Sequence, residues 1–157
     1  MNKESQNLEF KSSWQDENLK VLSAFANSNG GILVIGKDDK GNTVDIKNPK
    51  KLMEDIPNKV KNKLGIIPFV SIKKEGRKDI IQIGVKPVLH PVPYEGKFYI
   101  RSGSTVQEIS GTELIRFLLS KSGQTWDFLP SNADIKEVDE DTFEKFIKLA
   151  KKRLPEI

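Results

Sequence analysis

The sequence predicts an α+β fold in which helices pack on a mixed central sheet. Three observations lead there. The continuous run Ile32-Leu33-Val34-Ile35 reads as a central strand buried on both faces. Two further β-rich runs, Phe69 to Lys74 and Asp79 to Val85, flank Glu75-Gly76-Arg77-Lys78 and read as a hairpin. Apolar residues recur at helical spacing at Leu19, Leu22 and Ala26, and again at Leu52, Ile56, Val60 and Leu64.

Each element has a local cause. Leu8 to Ser12 alternates apolar and polar residues, as a half-buried strand does. Ser12, Ser13 or Asp16 can cap the helix that carries Leu19, Leu22, Phe25 and Ala26. That helix ends near Asn27, where Gly30 and Gly31 allow a sharp turn into the next strand. Asp38 to Gly41 is a turn. Asn48-Pro49 starts the second helix, with Pro49 at its first position. Pro57 predicts a kink there, or two short pieces, and Gly65 ends it. Pro87 to Pro93 is irregular. Lys97 to Arg101 is a strand with Phe98 and Ile100 on one face. Ser110 caps a helix through Ser120, with Glu113 completing a capping box and Leu114, Phe117 and Leu118 facing the core.

Composition changes after Ser122. Residues 123–134 are polar and loop-like apart from Trp126, Phe128 and Leu129. The acidic stretch Glu137 to Asp141 then leads into an amphipathic helix bearing Phe143, Phe146, Ile147 and Ala150. We therefore expect one domain over residues 1–122, then a connector and C-terminal helix over 123–157 that lead to further domains in a longer parent protein.

Composition narrows the function classes. The chain has 157 residues, 36% hydrophobic and 31% charged, which suits a globular domain with its own core. Cysteine is absent, which excludes a disulfide framework, a zinc finger and a thiol nucleophile. No run approaches the ~18 apolar residues of a membrane helix, and MNKESQNLEF has no signal-peptide core. A cytoplasmic address and no membrane partner are expected. The single histidine, His90, sits in a proline-bounded loop with no serine elbow elsewhere, so a Ser-His-Asp site is not expected. The net charge is +4, and six lysines against two acids between Lys47 and Lys63 give a local surplus of the same size. That block is a candidate phosphate-contacting face, or a solvated helix.

Gly31-Ile-Leu-Val-Ile-Gly36-Lys37 imitates the G-x4-G-K of a phosphate-binding P-loop. The chemistry does not follow. Ile32 to Ile35 are strand formers whose N–H groups belong to a ladder, and Asp38 replaces the hydroxyl that would hold Mg²⁺. Nucleotide hydrolysis at this segment is not expected on those grounds.

Several segments together resemble one family: Glu4-Ser-Gln-Asn-Leu-Glu9-Phe-Lys11, Ser23-Ala-Phe-Ala-Asn27-Ser-Asn-Gly-Gly31, the strand running on to Gly36-Lys-Asp-Asp39, Pro91-Val-Pro-Tyr94, and Tyr99-Ile-Arg101-Ser-Gly103-Ser104-Thr105. The chain resembles the Schlafen AlbA-2 domain, a DNA-binding module formerly called a divergent AAA domain, over residues 4 to 120. The resemblance implies the AlbA-2-like fold. It also implies one of two uses. In bacterial and archaeal proteins the domain opens longer regulator-like or helicase-related chains. In vertebrate Schlafen proteins a similar module cleaves tRNA and rRNA through three metal-binding carboxylates, which match Glu4, Glu9 and Asp39 here. Mg²⁺ or Mn²⁺ would be the cofactor of such an endoribonuclease; binding alone requires none. Lys37 departs from the small apolar residue usual at its position, and its ammonium can silence a nearby carboxylate. The segment Gln124-x-Trp126-Asp127 resembles the connector that follows this domain in longer proteins.

The expected function is nucleic-acid binding, to DNA or RNA, in a regulator-type protein. Lys50, Lys51, Lys59, Lys61 and Lys63 are the expected phosphate contacts, with Arg101 and Ser104 in support. Arg101 to Thr105 also reads as a polar turn with a surface arginine. Tyr94 and Tyr99 stack on bases or lie in the core. The alternatives are the metal-dependent endoribonuclease and a protein-interaction or dimerisation module, and pairing into a homodimer is compatible with each reading.

Overall fold

The protein is described here from a computed structural model covering residues 4–123 and 139–153. The chain divides into two compact units, Met1–Gln124 and Thr125–Ile157. The first contains β1 (Leu8–Lys11), α1 (Asn18–Asn27), β2 (Gly31–Ile35), α2 (Pro49–Leu64), β3 (Phe69–Glu75) and β4 (Lys78–Val85). It continues with β5 (Pro93–Tyr94), β6 (Lys97–Ser102), β7 (Thr105–Ile109) and α3 (Gly111–Lys121). The second contains α4 (Glu140–Arg153), whose side chains Phe143, Phe146 and Leu149 are exposed. The connector at Gln124 to Asp127 and the aromatic residues Trp126 and Phe128 lie outside the described residues.

The fold is α+β, as the sequence predicts, but with two sheets. A four-stranded mixed sheet runs in the order β1-β2-β4-β3. Its β1 and β2 are parallel, joined by the α1 crossover, and its other pairs are antiparallel. A second, antiparallel sheet runs β5-β6-β7. The main core lies on the face of the first sheet that carries Leu33, Ile35, Ile81 and Ile83, packed with Phe25 of α1 and Ile56 and Val60 of α2. The opposite face holds only a small cluster of Phe10, Val34 and Ile80, with Leu8 beside it.

Helix α1 is the hub. It packs against β2 of the first sheet and against β6 of the second. Nearly every residue from Asn18 to Asn27 is buried, so the helix has no solvent face to keep polar. Its buried polar groups are paired. The Asn27 amide accepts from the Val92 N–H at 2.8 Å and donates to the Val92 and Tyr99 carbonyls at 2.9 Å each. Ser23 Oγ also donates to the Val92 carbonyl at 2.8 Å. These bonds fasten the second sheet to the helix.

The glycine pair after α1 is fixed by space as well as backbone. Gly30 has φ +74°, and a Cβ there would meet the Val85 carbonyl oxygen at 2.7 Å. A Cβ on Gly31 would meet the Phe25 ring at 2.5 Å.

Several expectations change. Helix α2 is continuous from Pro49 to Leu64 with Pro57 inside it. Burial of Ile56, Val60 and Leu64 on one face holds the helix across the missing bond. The N-cap of α1 is Glu17 and not Ser12, Ser13 or Asp16, and neither it nor Ser110 before α3 makes a side-chain cap bond; the first turn of α1 is closed by the Gln15 and Asp16 carbonyls instead. Ile32 is 42% exposed, so β2 is central in the sheet but open on one face at its start. Strand β7 has no strong apolar alternation, and its pairing with β6 forms it. Among the described residues, no helix is long and apolar enough to cross a membrane.

Candidate nucleic-acid interface

Helix α2 exposes Lys50, Lys51, Lys59, Lys61 and Lys63, because Ile56, Val60 and Leu64 turn the opposite side inward. At 3.6 residues per turn, Lys59 and Lys63 line one flank and Lys50 and Lys61 the other. Lys59 pairs with Asp16. Among the described residues, the other four have no carboxylate partner. The last turn carries Lys61 and Lys63, where cations also favour the negative end of the helix dipole.

The start of α2 meets the edge strand β3. There Pro49 and Lys50 face Ile72, Lys73 and Lys74 across a groove of about 340 Å³. Lys74 is held 3.7 Å from Asp79, while Lys73 has no such partner among the described residues. Lys73 and Lys74 join a surface that the sequence reading confined to 47–63. The signal for them was a pair of lysines on an edge strand, a common guard against strand pairing.

Arg101 and Ser104 are elsewhere, on the second sheet. Ser104 is exposed in the β6–β7 turn, where the Thr105 hydroxyl donates to the Ser102 carbonyl at 2.8 Å. Arg101 corrects the sequence reading, because its side chain has no exposed surface. Its guanidinium donates to Glu9 Oε2 at 2.9 Å and to the Ser5 carbonyl at 2.8 Å, and it lies 5.0 Å from the Phe25 ring centre. Its backbone is pinned too. The Arg101 N–H donates to Ser28 Oγ, and Gln6 donates to the Arg101 carbonyl. Arg101 positions the N-terminal segment and is not open to a phosphate. Tyr99, on the same buried face of β6, is a core residue whose ring sits 4.7 Å from Lys20 Nζ.

The carboxylates expected as metal ligands are occupied or apart. Glu9 does point away from Phe10, but the face it meets is the main-core face, opposite buried Leu33. Its Oε1 accepts from Lys11 at 2.7 Å and its Oε2 from Arg101, so both oxygens are already neutralised by cations. Glu4 accepts the Phe10 N–H at 3.0 Å. Asp39 is exposed in the loop after β2. Among the described residues, no three acidic or histidine side chains gather closely enough to hold a metal ion. The expected set Glu4, Glu9 and Asp39 does not fit Mg²⁺ or Mn²⁺ in this arrangement.

The neighbouring Asp38 has a different task. Its carboxylate accepts from the N–H groups of Lys40 and Asn42 and from the Asn42 amide, at 2.8 to 3.0 Å. The Asn42 bonds hold its carboxyl below the usual carboxylate value. The turn expected over 38–41 is thus a closed Asx turn that fixes Lys40, Gly41 and Asn42.

Comparison with known proteins agrees with this architecture. The family described as "Schlafen, AlbA_2" matches residues 4–110. The DIP2311 protein from Corynebacterium diphtheriae is similar in structure, with a TM-score of 0.60 and 15% identity over 94% of this chain and 33% of that one. This chain therefore spans about a third of that protein, and the likeness concerns the fold alone. The N-terminal domain of a RecG-related protein from Nitrosomonas europaea is a looser likeness, with a TM-score of 0.47 and 25% identity over 67% of this chain and 82% of that one. No curated protein matches. The match across residues 4–110, together with the mixed sheet, the Gly30-Gly31 turn and the Asn27 fastening, places this chain in the Schlafen AlbA_2 family.

Proposed function

We propose that this chain is a nucleic-acid-binding domain that contacts phosphates through α2 and the adjoining edge of β3. One observation carries the reading: Lys50 of α2 and Lys73 and Lys74 of β3 line one groove together with Asp79, which Lys74 neutralises, and Lys51 beside them is exposed and unpaired among the described residues. Clustered cations of this kind neutralise phosphates and release counterions, which favours a polyanion without reading its sequence. Lys61 extends the Lys50 flank along the helix, while Lys63 and the Asp16-paired Lys59 lie on the other flank. Family membership supports the same class of partner. Arg101 serves indirectly, by holding β6 to the N-terminal segment.

The test is a binding titration with labelled nucleic acid at several salt concentrations, comparing the wild type with a Lys50→Glu/Lys51→Glu variant. The wild type should bind more weakly as salt rises, and the variant should lose about two units of the log–log salt slope. Equal affinity and equal slope for the two proteins would remove the lysine surface from the reading.

A further inference from the structure

The open face of the four-stranded sheet carries a groove of about 710 Å³ that the lysine surface does not use. Its floor is apolar, formed by Leu8, Phe10, Val34 and Ile80. Its rim is polar, with Asn42 and Thr43 on the loop after β2 and Gln82 on β4. A groove of this size, with an apolar floor under a polar and charged rim, has room for a small planar ligand that also makes hydrogen bonds at its edge.

The charges around it are arranged asymmetrically. Lys37 forms one wall, 5.6 Å from the Phe10 ring centre, with its ammonium held by Glu75 at 2.9 Å. Lys40 stands on the same rim with no carboxylate partner among the described residues. Glu75 lines the groove as well and is paired with Lys37, while Asp38 is spent within its own turn, which also keeps this rim ordered. Near the floor, Ser71 pairs in register with Gln82, and its hydroxyl is buried without a partner. The Gln82 and Asn42 amides offer both donors and acceptors to a base edge.

The lysine groove is bordered by α2 and shares no lining residue with this one. Lys73, however, is the cross-strand partner of Ile80, so its side chain stands on the open face beside the apolar floor. A phosphate held by Lys73 would therefore stand next to the apolar groove. A duplex keeps its bases stacked inside and cannot fill it. A single strand can turn one base in.

We propose that the open sheet face receives an unstacked base of single-stranded nucleic acid, with the adjoining phosphates on Lys40 and Lys73. This rests on the phosphate-binding reading above and adds the strandedness of the ligand. Seating one base on protein is typically worth about tenfold or more in affinity.

The test uses labelled strands of about 12 nucleotides, a length within the span such sites cover, as DNA and as RNA, alone and as duplexes, with the intact chain. Thr43→Trp fills the groove mouth without changing charge. The expected result is about tenfold weaker single-strand binding for Thr43→Trp, with duplex binding within about twofold of wild type. Lys50→Glu/Lys51→Glu should weaken both. A strand carrying 2-aminopurine should brighten on binding the wild type, a readout that does not depend on the variant. Unchanged single-strand affinity in a folded Thr43→Trp protein, or no brightening, would overturn the base site while leaving the phosphate surface standing. Binding to neither strand nor duplex would overturn both. Equal binding of a free mononucleotide, lost in Thr43→Trp, would identify a small-molecule site and overturn the strand proposal.

Discussion

Glu9 and Arg101 are separated by 92 positions in sequence and joined by a 2.9 Å bond between Oε2 and the guanidinium. The pair ties β1 of the first sheet to β6 of the second, on the flank of α1 where Phe25 lies. Removing Arg101 strips buried Glu9 of its buried cation and leaves it only the partly exposed Lys11. Arg101→Met should cost about 3–5 kcal/mol of stability, measured by urea unfolding. Replacing both residues with apolar ones should restore a large part of that loss. A cost under about 1 kcal/mol for Arg101→Met would mean that the pair is as solvated as a surface bridge.

The turn after α1 gives a second prediction. Gly31→Ala puts a methyl group into the Phe25 ring and should destabilise by about 1–3 kcal/mol. Phe25→Leu should relieve part of this in the double variant, because the clash is with the ring. Strict additivity of the two changes in a thermodynamic cycle would contradict the contact.

Asn27 provides a third. Its amide makes three buried hydrogen bonds to Val92 and Tyr99. Asn27→Ala removes the acceptor of the Val92 N–H and a donor to the Tyr99 carbonyl, while the Val92 carbonyl keeps Ser23 Oγ, and should cost about 2–3 kcal/mol. Hydrogen exchange should show the loss first in the β5–β7 sheet, which these bonds fasten to α1. Uniform loss of protection across both sheets would argue against that role.

A fourth prediction concerns pH. Asp38 has its folded-state carboxyl below the ordinary value of 3.8, owing first to the Asn42 side chain. Such a group stabilises its turn above the ordinary pKa, and the effect fades as pH falls through the folded value. The Lys40 and Asn42 amide signals should therefore hold their native positions through the normal carboxylate range and move only below it. Movement centred at or above 3.8 would contradict the bonds seen here.

Much of the first sheet was legible because its signals are local. The β2 run, the β3–β4 hairpin and the fourfold spacing of Ile56, Val60 and Leu64 each declare themselves within a few residues. What sequence reading missed is non-local. Nothing near Arg101 shows that Glu9 and Ser5 lie waiting for it, so a guanidinium beside a Ser-Gly-Ser turn reads as a phosphate contact. Helix α1 looked amphipathic because its second covering layer, β5 to β7, is built from short strands with weak patterning. The α2 lysines were visible as a charge block, whereas their meeting with Lys73 and Lys74 depends on how β3 packs beside the helix.

The metal question yields a fifth prediction. With both Glu9 oxygens bonded to cations and Asp39 in an exposed loop, labelled tRNA should stay intact in Mn²⁺, as it does in EDTA. Cleavage that requires Mn²⁺ and disappears in Glu9→Ala/Asp39→Ala would show that the carboxylates regroup around a metal.

The measurement to make first is the salt dependence of nucleic-acid affinity for the wild type and for Lys50→Glu/Lys51→Glu, by fluorescence anisotropy. A phosphate surface on α2 and β3 predicts affinity that falls steeply with salt, and a variant that is weaker and flatter by about two units of slope. Binding that ignores salt, or a variant indistinguishable from the wild type, would contradict it.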